Sequence, residues 1–294
     1  MRRLIINADD FGLTPGVNRA IAESHERGVV TSATLMAAGV AMLDASRLAS
    51  TLPKLSVGCH VVLVDGSPLL PPAEIPSLAF ARDGSEFSPT LGGFVQRALT
   101  GRFSSMEIET EAESQFRKLQ DSSVAISHFD THKHTHVFPA VLRPLLRAAR
   151  KCGIRAVRNP FVPPRALAFE DLRKRPVLWK RYWQTRALRR FLPAFHELLA
   201  EHDMVAPNGC LGVMETGFLD ADLFADMIRA VTEALPQGTW EMACHPGYDD
   251  AELGTVRTRL RASRQLELQV LTSADARSLL EKSGVELISY RELS

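Results

Sequence analysis

Four histidines and an aspartate crowd into His128-Phe129-Asp130-Thr131-His132-Lys133-His134-Thr135-His136. Imidazoles beside a carboxylate suit zinc, or a harder divalent ion whose remaining positions are filled by water. If the segment stays extended, alternation puts His128, Asp130, His132, His134 and His136 on one face. Three further polar groups stand at or near the ends of apolar runs: Asp9-Asp10 after Leu4-Ile5-Ile6, His60 within Leu55–Val64, and His245 after Met242-Ala243-Cys244. Adjacent acids can divide labour, one ligating an ion while the other faces a water as base. They can equally be a charge pair at the positive end of a helix. Taken singly, His60 reads as a core histidine and His245 as a residue capping the Pro246-Gly247 loop. Both gain weight from the pattern around them, whereas His25, His196 and His202 fall in helical stretches and receive no role.

The elements that must position these groups alternate. Leu4–Asn7, Val29–Thr31, Leu55–Val64, Val124–Asp130, Ile154–Arg158, Thr239–Cys244 and Val285–Tyr290 read as strands. Thr14-Pro15 marks a helix start with Val17, Ala20 and Ile21 at helical spacing, and Gly28 ends that helix. Met106–Leu119 and Ala140–Lys151 carry amphipathic helical patterns. Alternation of this kind predicts an α/β fold with a parallel sheet, and the length suits a (β/α) barrel related to the TIM type, with room for irregularity. No glycine-rich phosphate fingerprint follows the first strand, which weighs against a nucleotide-binding Rossmann fold. In a parallel barrel the C-terminal strand ends converge on one face, so the dispersed polar clusters would meet there. Residues 1–294 read as one domain. Insertions near 65–101 (rich in proline and glycine) and 160–204 would shape a cleft.

Thirty-five basic against 34 acidic residues leave a net charge of +1, which gives no reason to expect nucleic acid as a partner. One stretch is locally basic and aromatic: Arg173, Lys174, Arg175, Lys180, Arg181, Arg186, Arg189 and Arg190, with Trp179, Tyr182 and Trp183. It reads as a solvated helical face or, more sharply, as a surface for lipid headgroups or an anionic partner. Cys59, Cys152, Cys210 and Cys244 are scattered, with no C-x-x-C pair, so neither a disulfide framework nor a cysteine zinc site is expected, and a cytoplasmic setting fits. No signal peptide or transmembrane run is read in the sequence.

Together the motifs resemble the YdjC-like (ChbG-type) carbohydrate deacetylase family. The resemblance is carried by Asn7-Ala8-Asp9-Asp10-Phe11-Gly12, Val57-Gly58-Cys59-His60 and the histidine tract. Arg155-Ala156-Val157-Arg158, His245-Pro246-Gly247-Tyr248 and Leu287-Ile288-Ser289-Tyr290-Arg291-Glu292-Leu293 extend it along the chain. It implies a metal-dependent hydrolase that deacetylates an N-acetylated sugar, using one divalent ion, magnesium or zinc. It maps the ligands to Asp10, His60 and His132, the base to Asp9, and an acid or transition-state stabiliser to His245. The choice of His132 over His134 or His136 rests on the resemblance alone. Asp130, His134, His136 and Arg158 would act on the substrate or behind the ligands: Asp130 by orienting a histidine, Arg158 by fixing an acid or a sugar hydroxyl. Leu63-Val64-Asp65-Gly66 and Leu70-Pro71-Pro72-Ala73-Glu74-Ile75-Pro76 look like the hopanoid-associated members, which implies a glycolipid substrate and peripheral membrane contact. Competing readings are a metal-dependent phosphoesterase or other amidohydrolase on a similar barrel, and a non-catalytic sugar- or lipid-binding protein. A homodimer is compatible with the sequence but not specified by it.

Overall fold

A computed structural model describes residues 1–80, 86–164, 173 and 175–293. Its centre is the strand β1 (Arg2–Phe11), buried from Leu4 onward. Its apolar start, Leu4-Ile5-Ile6, is what a parallel strand covered on both faces requires. The remaining strands are β2 (Ser32–Leu35), β3 (Ser56–Val61), β4 (Phe129–Thr131), β5 (Cys210–Leu211), β6 (Gly238–Cys244) and β7 (Glu286–Leu287). All pair in parallel, in the order β4-β3-β2-β1-β6-β5, with β7 beside β1. One side of β1 is shared: β7 takes Arg3 and Leu4, and β2 takes Asn7, Ala8 and Phe11.

The sheet curls as a barrel wall does, but among the described residues its strand ladder does not close. Past β4 the curl continues through isolated parallel bridges, Phe129 with Val157 and Ala156 with Val205. The expected TIM-like barrel is therefore a curled, open α/β sheet. The cause is the brevity of the end strands: β4 has three residues and β5 two. The strand expected over Val124–Asp130 starts only at Phe129. The one expected over Val285–Tyr290 is limited to Glu286–Leu287, because Ser289 and Glu292 form a capping box that opens a 3-10 turn at Tyr290.

The helices follow their sequence signals more closely. Helix α1 (Pro15–Glu26) starts where Thr14 Oγ1 accepts the Val17 N–H, with proline at its first position. After α2 (Met42–Thr51) and α3 (Leu91–Leu99), helix α4 (Ser105–Asp121) packs against α5 (Pro139–Lys151) over the sheet. The expected insertions do not lie apart from this frame. Glu111 on α4 accepts the backbone N–H of Leu69 and Leu70, and Gln115 brackets Val62, so residues 62–70 are clamped to the helix. The segment expected over residues 160–204 contains helices Trp179–Leu188 and Leu192–Glu201. Lys174 lies outside the described residues.

Close packing reaches to the edge of the polar centre. A Cβ placed on Gly58, two residues before His60, would stand 2.6 Å from the His128 ring and 2.7 Å from the His128 carbonyl oxygen. Neither neighbour is free to yield, since the carbonyl accepts the Cys59 N–H. Gly58→Ala is therefore expected to destabilise the fold by about 2 kcal/mol, the usual scale of overpacking. In thermal unfolding the midpoint should drop by roughly 5 °C.

Candidate metal centre

Adjacent residues on a regular strand point to opposite faces, yet Asp9 and Asp10 both line the same cavity. The strand breaks its own alternation to achieve this. Between Ala8 and Phe11 the register with β2 slips, and Asp10 takes φ +66°. A left-handed residue in a bulge re-aims the side chains around it, and aspartate tolerates that conformation better than most residues.

Asp10, His60 and His132 present one ligand atom each within 4.8 Å of one another. Asp10 Oδ1 lies 3.4 Å from His60 Nε2 and 3.5 Å from His132 Nδ1, and the two ring nitrogens are 3.3 Å apart. Ligands at roughly 2.1 Å from a single ion would be separated by about 3.0–3.4 Å, so the triangle has the right size. Its chemistry fits as well. In register on neighbouring strands, His60 faces Asp130, and its Nδ1 donates to Asp130 Oδ1 at 2.7 Å. That bond fixes the tautomer and turns the Nε2 lone pair toward Asp10. Two lone pairs meeting across 3.4 Å need a cation or a second proton between them. Burial pushes the His60 pKa down, but Asp130 outweighs it and lifts it to about 9, so without an ion the proton supplies that charge.

A second trio, Asp9, His60 and Asp130, is equally compact but its oxygens are already engaged. Arg158 is fully buried and donates Nη1 to Asp9 Oδ2 at 2.7 Å and Nη2 to Asp9 Oδ1 at 2.6 Å. The same guanidinium pairs with Asp130 and donates Nε to Glu241 Oε1 at 2.8 Å. Burial alone would raise the Asp9 pKa; Arg158 overrides it and holds the carboxyl far below the usual range. Asn7 Nδ2 adds a third donor to Asp9 Oδ1 at 2.9 Å. Arg158 thus pairs with buried acids and does not line the cavity.

The histidine tract does not stay extended. Beyond Thr131 the chain turns over His132–Val137, with Lys133 and His134 both at positive φ, so the one-face expectation fails after His132. His132 remains beside Asp10, its side chain 21% exposed toward the cavity. His134 also lines the cavity, and its buried Nδ1 has no partner among the described residues. His136 is turned inward, where Nδ1 meets Thr131 Oγ1 at 2.6 Å and Nε2 meets the Arg158 carbonyl at 3.2 Å. His128 lies beneath the site, Nε2 on Asn7 Oδ1 and its ring stacked on Tyr290 at 3.6 Å. His245 reaches the cavity with Nε2 3.8 Å from Asp9 Oδ2 and a buried, unpartnered Nδ1. Burial drives its pKa down to about 4, against the pull of Asp9 and Asp10.

Sequence reasoning missed Arg264, Glu241, Glu267 and Tyr290. Arg264, from the helix Ala262–Thr272, is buried and grips Asp10 Oδ2 through Nη2. Glu267, one turn on, accepts the His245 backbone N–H at 2.6 Å, and burial lifts its pKa to about 7. Tyr290 donates to Glu241 Oε2 at 2.6 Å. The cavity itself measures about 830 Å³. Residues from both expected insertions line it, among them Leu91 and Val95 from one, and Phe161, Val162 and Leu188 from the other.

Comparison with known proteins agrees along the full chain. A family described as YdjC-like protein matches residues 3–282. A carbohydrate deacetylase of Geobacillus stearothermophilus is 33% identical over 291 residues, covering 99% of this chain and 98% of that protein. One from Brevibacillus brevis is 30% identical, covering 99% of both. Among solved structures, an Enterococcus faecalis protein provisionally named for cellobiose-phosphate cleavage superposes with TM-score 0.78 at 26% identity, covering 98% of this chain and 97% of that one. A lactam utilization protein of Thermus thermophilus shares the fold, with TM-score 0.51 at 15% identity.

Two outcomes follow from the geometry. Asp130→Asn removes the carboxylate that orients His60, and zinc affinity measured by competition with a chelator should fall 10–100-fold. The pH dependence of the metal-free protein follows from its buried histidines. His128 and His134 are held well below 6.5, His136 at about 3 and His245 at about 4, in each case chiefly by burial. The unfolded chain, with histidines near 6.5, binds those protons first. Their contribution to stability is thus present above pH 6.5 and lost as pH falls toward 4, by roughly 1 kcal/mol per pH unit and histidine. His60 acts in the opposite sense: raised to about 9, it stabilises below pH 6.5 and loses that contribution as pH rises through 9. Glu215 and Glu267, raised by burial to about 7, oppose the histidines between pH 4.5 and 7 without outweighing them. Denaturant unfolding across pH 4–9 should therefore still show a maximum near pH 6.5, and stability that increases as pH falls below 6.5 would contradict the buried, neutral histidines.

Proposed function

The chain belongs to the YdjC-like protein family, and from that membership we propose that it is a metal-dependent hydrolase removing the acetyl group from an N-acetylated sugar. The observation carrying this reading is the donor triangle of Asp10, His60 and His132 on the cavity floor, with Asp9 and His245 side by side at its edge. A divalent ion held there supplies Lewis acidity toward an acyl oxygen and makes a nearby water more acidic.

The protein's own groups handle the protons. Asp9 accepts one from the attacking water. Clamped by Arg158, it is a weak base, so its contribution is a fixed orientation more than basicity. His245, 3.8 Å away, is neutral at pH 7 and can take that proton over, then donate it to the sugar nitrogen as the C–N bond breaks. Asp130 keeps His60 in its ligating tautomer.

The apolar part of the wall, including Val95, Phe161, Val162 and Leu188, favours a sugar linked to an apolar group, which suits an N-acetylglucosaminyl glycolipid of the hopanoid type. The helix Trp179–Leu188 borders the cavity through Arg181, Gln184, Thr185 and Leu188 and leaves Trp183 61% exposed, a disposition suited to work near a membrane surface. Among the described residues no helix is long and apolar enough to cross one. A two-ion phosphoesterase finds less support, because Arg158 already neutralises the second carboxylate cluster.

The reading is tested by acetate release from N-acetylglucosamine oligomers and from an N-acetylglucosaminyl lipid, with zinc or magnesium added. Asp9→Asn should retain one ion per chain yet lose turnover by about 10³-fold or more, in the range of a lost general base combined with its orientation. Turnover near that of the unaltered protein in Asp9→Asn would remove Asp9 from the mechanism.

A further inference from the structure

Arg264 carries a donor that has no partner among the described residues. Its Nη2 is bonded to Asp10 Oδ2, while its Nε donates to the Leu260 carbonyl at 3.2 Å. The remaining nitrogen, Nη1, is buried and has no hydrogen-bond partner, and the residue lines the cavity. Its side chain is 1% exposed, so bulk water does not satisfy that nitrogen. A buried donor on a charged group is more costly to leave unmade than one on a neutral group.

The position of this donor is informative. It belongs to the same planar group that grips the outer oxygen of Asp10, whose other oxygen points into the triangle with His60 and His132. Arg264 lines the same cavity as the triangle, so a group seated in front of the triangle comes near its guanidinium. On the proposed reading, on which this inference rests, the sugar ring stays farther out and the acyl group occupies that space. We propose that Arg264 is a substrate-contacting residue whose Nη1 donates a hydrogen bond to an oxygen of the N-acyl group and, after hydrolysis, to the carboxylate of the released acid. The arrangement splits one guanidinium between two carboxyl-type partners: Nη2 holds the ligand Asp10 in place, and Nη1 reads the group that is cleaved. Such a donor is worth most as negative charge grows on the acyl oxygen.

The probe is sodium acetate, titrated by calorimetry into protein saturated with zinc chloride, with zinc content measured on the same samples. The unaltered protein should bind acetate. Arg264→Gln should keep zinc at saturation but bind acetate at least 10-fold more weakly. Acetate affinity unchanged in a zinc-loaded Arg264→Gln would overturn the proposal, as would no acetate binding by the unaltered protein. If Arg264→Gln loses its fold or its zinc, Arg264→Lys decides: a lysine that holds Asp10 cannot also offer the second fixed nitrogen, so a 10-fold loss supports the assignment and full affinity overturns it. The deacetylase reading fails separately. Acetate binding that depends on Arg264, in a protein that releases no acetate from any N-acetylated sugar or glycolipid, would refute that reading and leave the carboxylate contact standing.

Discussion

The buried guanidinium of Arg158 is the interaction on which the rest of the site depends. It reaches Asp9 on β1, Asp130 on β4 and Glu241 on β6, three carboxylates from strands distant in sequence. Charges taken out of water are tolerated only when each is met by partners of good geometry. None of the three acids could lie at this depth alone, and the arginine could not either. The cluster therefore specifies how the two flanks of the curled sheet meet the central strand, beyond anything the apolar core requires. It also determines which oxygens remain for chemistry. Asp130 has one left to hold His60, and Asp9 is oriented toward His245 with little freedom to turn.

The two acids at the end of β1 are handled in the same way by separate arginines. Asp9 is paired with Arg158 and Asp10 with Arg264, and the bulge at Asp10 is what allows both to enter one cavity. Each arginine removes conformational choice from its carboxylate, which suits a site that must present an oxygen at a fixed distance from two imidazoles. The strained backbone at Asp10, Lys133 and His134 sits within or next to this group. Positive φ at residues other than glycine costs on the order of 1–2 kcal/mol, and here that cost coincides with the residues that set the donor triangle.

Much of this was legible in the sequence where one physical signal dominated. The apolar runs around β1, β3 and β6 announce buried parallel strands, and the polar groups at their ends announce the face they share. Thr14-Pro15 states where α1 begins. The histidine tract was harder, because its turn is built from Lys133 and His134 without glycine or asparagine to mark it. The openness of the barrel was not legible for a related reason: Val124–Asp130 satisfies a strand pattern but pairs over only three residues, and the two-residue β5 has no pattern to announce it. Arg264 and Glu267 were invisible. A charged pair one turn apart on an amphipathic helix looks like solvated surface, and only the tertiary fold reveals that both are buried. Glu241 was hidden by its apolar neighbours Trp240 and Met242, and Tyr290 by its place in a segment that read as a final strand.

The place of Tyr290 has a bearing on how such a chain comes to life. Its hydroxyl completes Glu241 and its ring roofs His128, both beneath acids carried by β1. Asp10 likewise waits for an arginine 254 positions later. During synthesis β1 emerges with its acids bare, and β6, β7 and these late side chains follow only much further along the chain. A nascent chain can collapse around its apolar runs long before the polar heart is assembled. The polar centre is then the last part of the molecule to be completed, because the groups that hold its acids come late in the chain.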